Sequence, residues 1–155
     1  SNGSLGQGLS FGCGIAISNK IKKNNEKVYV LLGDGECYEG SNWEAAITAT
    51  EQNLDNIYSI IDCNGFQNDG KISDKMNYIN IAKKWKGFGW NVIVINGHDI
   101  NQIIKSLKTK KKNVPTAIIA KTIKGKGIKF MENNNDWHHN RLTKNLYIAA
   151  INQLK

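Results

Sequence analysis

Two short apolar runs, each closing on a small polar turn, constrain this chain more than any other feature. Val28-Tyr29-Val30-Leu31-Leu32 runs into Gly33-Asp34-Gly35, and Ile57 to Ile61 runs into Asp62-Cys63-Asn64-Gly65. Both are β-branched or aliphatic and bounded by charge or glycine, which predicts buried strands. Between them Trp43, Ala46, Ile47 and Thr50 recur at helical spacing within residues 39–53. Strand, helix and strand in that order make a right-handed parallel crossover. Such a crossover lays the two strand ends side by side, so Asp34 and Asn64 can converge across 30 positions of sequence.

A carboxylate and an amide oxygen flanked by glycines suit a hard divalent cation, which takes oxygen ligands and keeps substrate phosphates in its shell. Glycine lets the backbone approach those phosphates closely. Magnesium with a diphosphate is the natural occupant, and ligands of open α/β sheets bind at this edge. Gly-Asp-Gly by itself also reads as a turn with a capping carboxylate, and Asn64-Gly65 by itself as a turn.

The remaining periodicities extend the same architecture. Small and apolar residues from Leu9 to Ser18 predict a closely packed helix, followed by a polar connector, Lys20 to Lys27. Ile81, Trp85 and Phe88 form the buried stripe of a helix over 78–88, and Asn91 to Ile95 a third strand. Asp99 with Gln102 resembles a capping box ahead of a stripe of Ile100, Ile103, Ile104 and Leu107. Pro115 breaks the chain before a fourth strand, Thr116 to Ala120. Residues 143–154 read as a last amphipathic helix carrying Leu146, Ile148, Ala149 and Leu154. The expected fold is α/β, a parallel sheet flanked by helices on both faces.

Other segments read as connections. Phe66 to Asp74 is rich in turn residues, and His98 reads as a loop histidine. Residues 124–139 have little periodicity, which in a compact domain marks a functional or mobile loop. Glu36 and Glu39 fall where carboxylates favour a helix dipole.

At 155 residues the chain has room for one domain with a real core. No apolar run approaches the roughly 20 residues of a membrane span, and no basic start followed by an apolar stretch suggests a leader. A beginning at Ser1 without methionine reads as an internal or trimmed piece. The net charge of +8 is carried by scattered lysines with a single arginine, Arg141. Without aromatic-basic interleaving this favours solvated faces over nucleic-acid binding. Cys13, Cys37 and Cys63 form no Cys-x-x-Cys pair and no zinc spacing, so they read as packing residues in a reducing, cytoplasmic setting.

Gly33-Asp34-Gly35 followed by Glu39-Gly40, a helix and Asn64-Gly65 resembles the thiamine-diphosphate-binding signature in the form used by transketolases. Flanking stretches resemble the same family in order. They are Gly3-Ser4-Leu5-Gly6-Gln7-Gly8, Trp43-Glu44-Ala45-Ala46, Leu54-Asp55-Asn56, Phe88-Gly89-Trp90, Gly97-His98-Asp99 and Lys121 to Gly127.

The resemblance implies a thiamine-diphosphate-binding fold in which residues 1–155 are a single diphosphate-binding domain, without its amino-terminal start and without the pyrimidine-binding domain. It implies that Asp34, Asn64 and the Phe66 carbonyl hold Mg2+. Gly33, Gly35 and Asn64 would lie at the diphosphate, and Gly3, Ser4 and Leu5 along the cofactor near its aminopyrimidine. His138, after Trp137, would reach diphosphate and substrate, with His139 as the adjacent alternative. Glu39 would sit at an interface between protomers and couple two cofactor sites. The implied activity is transfer of a two-carbon ketol unit between sugar phosphates, completed by a pyrimidine-domain partner in a homodimer or heterotetramer, with no nucleic acid and no membrane. Related thiamine-diphosphate enzymes, such as deoxyxylulose-phosphate synthase or a dehydrogenase-type enzyme, would share Asp34 and Asn64, and a non-catalytic module could keep the fold.

Overall fold

The computed structural model describes residues 3–154. Four strands, β1 (Val28–Gly33), β2 (Ile57–Cys63), β5 (Asn91–Asn96) and β6 (Thr116–Lys121), form one sheet in the order β1-β2-β6-β5. Every pairing in it is parallel, with Gly33 opposite Asp62 and Asp62 opposite Ala120. Parallel strands need crossovers, and α2 (Gly40–Glu51), α3 (Tyr78–Gly87) and α4 (Ile100–Lys108) lie along the connections between them. α1 (Gln7–Ile21) precedes the sheet and α5 (Lys144–Gln153) follows it. No described helix is long and apolar enough to cross a membrane.

One face of the sheet carries most of the core. Leu9, Cys13 and Ala16 of α1, Ala45, Ala46 and Ala49 of α2, and Ile81 and Trp85 of α3 bury against Val30, Leu32, Ile57, Ile61, Ala117 and Ile119. Small residues set the spacing. At Gly12 a Cβ would stand 2.5 Å from Val30 Cγ2, so α1 lies against β1 closer than alanine permits. Trp85 is sealed in, with the Trp90 ring edge-on at 4.7 Å and the Trp43 ring tilted at 5.3 Å. Two of the three indole N–H groups are satisfied, Trp43 Nε1 donating to the Cys37 carbonyl and Trp90 Nε1 to that of Ala46, while Trp85 Nε1 is buried without a partner.

The other face is half covered. α4 places Ile103 and Leu107 on a small cluster of Tyr58, Ile95, Ile118 and Ala120. Ile100 and Ile104, expected in its buried stripe, are exposed. A lone helix on a sheet buries a narrow strip, and the flanking positions need neighbours. Beside it Leu31 is 71% exposed, and the apolar wall from Leu31 through Ile60 to Ile118 opens a groove of about 570 Å3.

Further differences have local causes. The helix expected over 39–53 begins at Gly40, because Gly35–Tyr38 first makes a 3-10 turn. Ile47 points outward, since the face of α2 toward α1 and the sheet is built from Asn42 and alanines. Ile148 and Leu154 of the last amphipathic segment are also exposed, and Ala150 is the buried residue of α5. Asp99 caps α4 through the Asn101 and Gln102 amides as expected, but the Gln102 side chain returns to the Asn96 amide and not to that of Asp99. The segment 66–74 contains a two-stranded antiparallel hairpin, β3 (Phe66–Gln67) with β4 (Gly70–Lys71).

Candidate cofactor site

The carboxyl ends of β1 and β2 meet as the crossover requires. Asp34, at the end of β1, is 3% exposed, and its Oδ2 accepts the Gly65 N–H at 2.7 Å. Its Oδ1 accepts the Gly35 N–H at 2.9 Å. Burial pushes the Asp34 carboxyl above its ordinary range. The Gly65 and Gly35 amides pull it back in part, and the neighbouring Asp62 pushes it further up. No lysine or arginine pairs with it among the described residues. A buried carboxylate with two amide donors and no cation partner is a site that a metal ion would stabilise.

Gly65 has φ +81°, so its backbone adopts the left-handed turn that aims its N–H at Asp34. The same turn positions Asn64, whose Oδ1 accepts the Phe66 N–H at 2.9 Å while its Nδ2 donates to Asp62 Oδ2 at 3.2 Å.

Gly33, Asp34, Gly35, Asn64 and Phe66 line one cavity of about 350 Å3 together with Leu5, Glu39 and His138. Eight of the residues singled out from sequence therefore share one space, drawn from four separate stretches of chain. Gly3 and Ser4 are exposed and lie outside its lining. His139 is also outside it, whereas His138 is carried in by the 3-10 turn Asn135–His138. That turn is held by Asn135 Nδ2 donating to the Asn68 carbonyl at 3.1 Å and by the Phe130 and Trp137 rings at 5.2 Å. His138 Nδ1 lies 3.3 Å from Lys124 Nζ. Glu39 is exposed and makes no side-chain bond at the start of α2, so the dipole interaction expected of it is a weak one.

The oxygen donors fit a hard cation bound to a diphosphate. They are the Asp34 carboxylate and the Asn64 amide oxygen, which the Phe66 carbonyl would join. Cys13 and Cys37 are buried, their thiols pushed up by burial to about 11 and about 12, and Cys63 is pushed up by the same cause. Among the described residues no three His, Cys, Asp or Glu side chains cluster as a metal site. Gly35 has a second reason to be glycine, since a Cβ there would stand 2.7 Å from Gln67 Cβ.

Sequence reasoning missed the residue that ties the first turn to the site. Glu36 Oε1 accepts the Gly6 N–H at 2.9 Å, and its Oε2 accepts the Gly33 N–H at 3.2 Å. Gly6, at φ +81°, lies where a Cβ would come within 2.7 Å of Glu39 Cβ, and the Ser41 hydroxyl donates to its carbonyl. The only signal was a carboxylate two residues after Asp34, which helix-dipole logic absorbs. The His98 partner was likewise not legible; the Ile123 N–H donates to its Nε2 at 2.8 Å.

Comparison with known proteins finds relatives along nearly the whole chain. An apulose-4-phosphate transketolase subunit of Phocaeicola vulgatus is 40% identical over 156 residues, spanning 98% of this chain and 55% of that protein. Human transketolase is 41% identical over 155 residues, 98% of this chain and 24% of that protein. The crystal structure of transketolase from Campylobacter jejuni superposes with a TM-score of 0.89 at 32% identity, over 99% of this chain and 25% of that one. The chain thus spans about half the length of the apulose-4-phosphate transketolase subunits and a quarter of the transketolases. The family model described as "Transketolase, thiamine diphosphate binding domain" matches residues 1–154, and the chain belongs to that family.

Proposed function

We propose that this chain is the diphosphate-holding part of a transketolase, moving a two-carbon ketol unit from a ketose phosphate to an aldose phosphate once a pyrimidine-binding domain completes the site. The observation behind this reading is that Asp34, Asn64 and Phe66, from neighbouring strand ends, line one cavity with His138. Two relatives are named as single subunits of a transketolase, which supports a separate partner chain, in a heterotetramer or, with the domains joined, a homodimer. Three buried free thiols fit a reducing, cytoplasmic setting.

Asp34, the Asn64 amide oxygen and the Phe66 carbonyl would hold Mg2+, and Gly33 and Gly35 leave the backbone bare where a diphosphate would lie. Bound there, thiamine diphosphate supplies the nucleophilic carbon that cleaves a ketose beside its carbonyl and the electron sink that stores the resulting pair. Leu5 gives the cavity an apolar wall, and Gly3 and Ser4, outside that lining, would lie along the cofactor near its aminopyrimidine. His138, beside Lys124, would place a proton or hydrogen bond on a phosphate or sugar oxygen. Glu39, exposed at the rim, would meet the partner and couple the two sites.

Calorimetric titration of thiamine diphosphate into the chain, with and without magnesium, tests the cofactor assignment. Binding should require magnesium and be lost in Asp34→Ala; unchanged, magnesium-dependent binding by that variant would contradict the site. Ketose turnover should appear only after a pyrimidine-domain partner is added, and turnover by the 155-residue chain alone would contradict the division of labour.

A further inference from the structure

We infer that Asp62 is a positioning residue for the cation site, its carboxylate held by Thr122 and in turn fixing the side-chain amide of Asn64. This rests on the proposed role of Asn64 as a cation ligand, and it concerns residues for which no such role follows from the cavity itself. Asp62 does not line the cavity of about 350 Å3; it lines the larger groove instead, as does Thr122. Asn64 borders both spaces. Asp62 therefore backs the ligand and does not touch what the ligand would hold.

The hydrogen bonds set the direction of the amide. Asn64 Nδ2 donates to Asp62 Oδ2 at 3.2 Å, and Asn64 Oδ1 accepts the Phe66 N–H at 2.9 Å. Turned over, the amide would face its oxygen to a carboxylate and its NH2 to an N–H donor, losing both bonds at once. The Thr122 hydroxyl donates to Asp62 Oδ1. Thr122 is itself pinned, its N–H donating to the Cys63 carbonyl at 3.2 Å. Gly97 makes room for it, since a Cβ there would collide with Thr122 Cγ2.

The relay thus runs from β6 through Thr122 and Asp62 to Asn64. A carboxylate behind a ligating amide polarises it and raises the electron density on its oxygen, as partners behind metal ligands commonly do. Asp62 also adds negative charge beside Asp34 without occupying a coordination position, which favours a cation in the cavity.

The test uses the whole 155-residue chain, with thiamine diphosphate and magnesium as probes. Asp62→Ala should weaken magnesium-dependent cofactor binding about ten- to a hundredfold. Thr122→Val should weaken it less, and Thr122→Ser should restore it. The metal-free melting temperatures of Thr122→Val and Thr122→Ser should match, so that a loss shown by Val alone reports on positioning and not on packing. Without any cofactor, the Asn64 side-chain NH2 resonances should shift and broaden in Asp62→Ala. If that variant does not fold, the threonine pair decides the matter. Wild-type affinity in Asp62→Ala and Thr122→Val, alongside lost binding in Asp34→Ala, would overturn the positioning role alone. Wild-type affinity in Asp34→Ala, or no magnesium-dependent binding by the unsubstituted chain, would overturn the cofactor reading and this inference with it.

Discussion

Asp34 Oδ2 accepts the backbone N–H of Gly65 at 2.7 Å, a bond that joins the carboxyl ends of two adjacent parallel strands. The carboxylate thereby fixes the turn that carries Asn64 before any ion is bound. Asp34→Asn keeps one acceptor oxygen and the side-chain volume, so the fold should survive. Magnesium-dependent binding should nonetheless fall at least a hundredfold, about 2.7 kcal/mol, because the charge that holds the cation is gone. Calorimetry and circular dichroism on the same sample separate the two effects.

Glu36 links Gly6 to Gly33 through its two oxygens. Glu36→Ala leaves two backbone donors in a half-buried place, and each such orphan costs about 1–3 kcal/mol. The variant should unfold at lower urea and exchange the amide of Gly6 faster, while Glu36→Gln, which keeps one acceptor, should fall between. Equal exchange at Gly6 in all three proteins would show that the latch is not formed in solution.

Asp55 supplies the pH dependence. Burial pushes its carboxyl up, but the Asn113 N–H and the ammonium groups of Lys20 at 3.3 Å and Lys110 at 3.5 Å outweigh it, and its net position is below the ordinary 3.8. A carboxyl depressed by folding contributes stability above its unfolded pKa and loses it as pH falls through the lower folded value. The loss should therefore appear below about pH 4 and be absent in Asp55→Asn. Both lysines are substantially solvated, so the variant should cost only about 1 kcal/mol at pH 7. Urea titrations at pH 3, 4 and 7 check it.

All three cysteines are buried and free. With Cys13 and Cys37 pushed to about 11 and about 12, and Cys63 pushed up as well, no appreciable thiolate exists at pH 8. Iodoacetamide at pH 8 should leave the native chain unmodified over an hour and alkylate three positions in urea. Mass spectrometry counts them, and a native adduct at Cys63 would show that the strand end opens.

Much of the sheet was readable because its strands are continuous apolar runs ended by glycine, proline or asparagine, and the parallel crossover followed from their order. The meeting of Asp34 and Asn64 at neighbouring strand ends was readable for the same reason, since strand ends are where period and turn residues agree. Less legible was anything set by contact between distant segments. Ile47, Ile100 and Ile104 fit helical stripes equally well whichever flank is covered, and periodicity does not say how many neighbours a helix has. The Glu36 latch, the His98 bond to Ile123 and the Asp62 to Thr122 bond each join residues through backbone amides or loop ends, which leave no periodic trace. The hairpin after Asn64 was too short, at two residues per strand, to alternate.

One ion should be gripped where these two strands end. The most direct measurement is the anomalous scattering of Mn2+ in crystals of the chain grown with thiamine diphosphate. The expected result is a single strong peak bonded at about 2.1 Å to Asp34, to Asn64 Oδ1 and to the Phe66 carbonyl. A fully occupied manganese bound to the diphosphate but out of reach of Asp34 would contradict it.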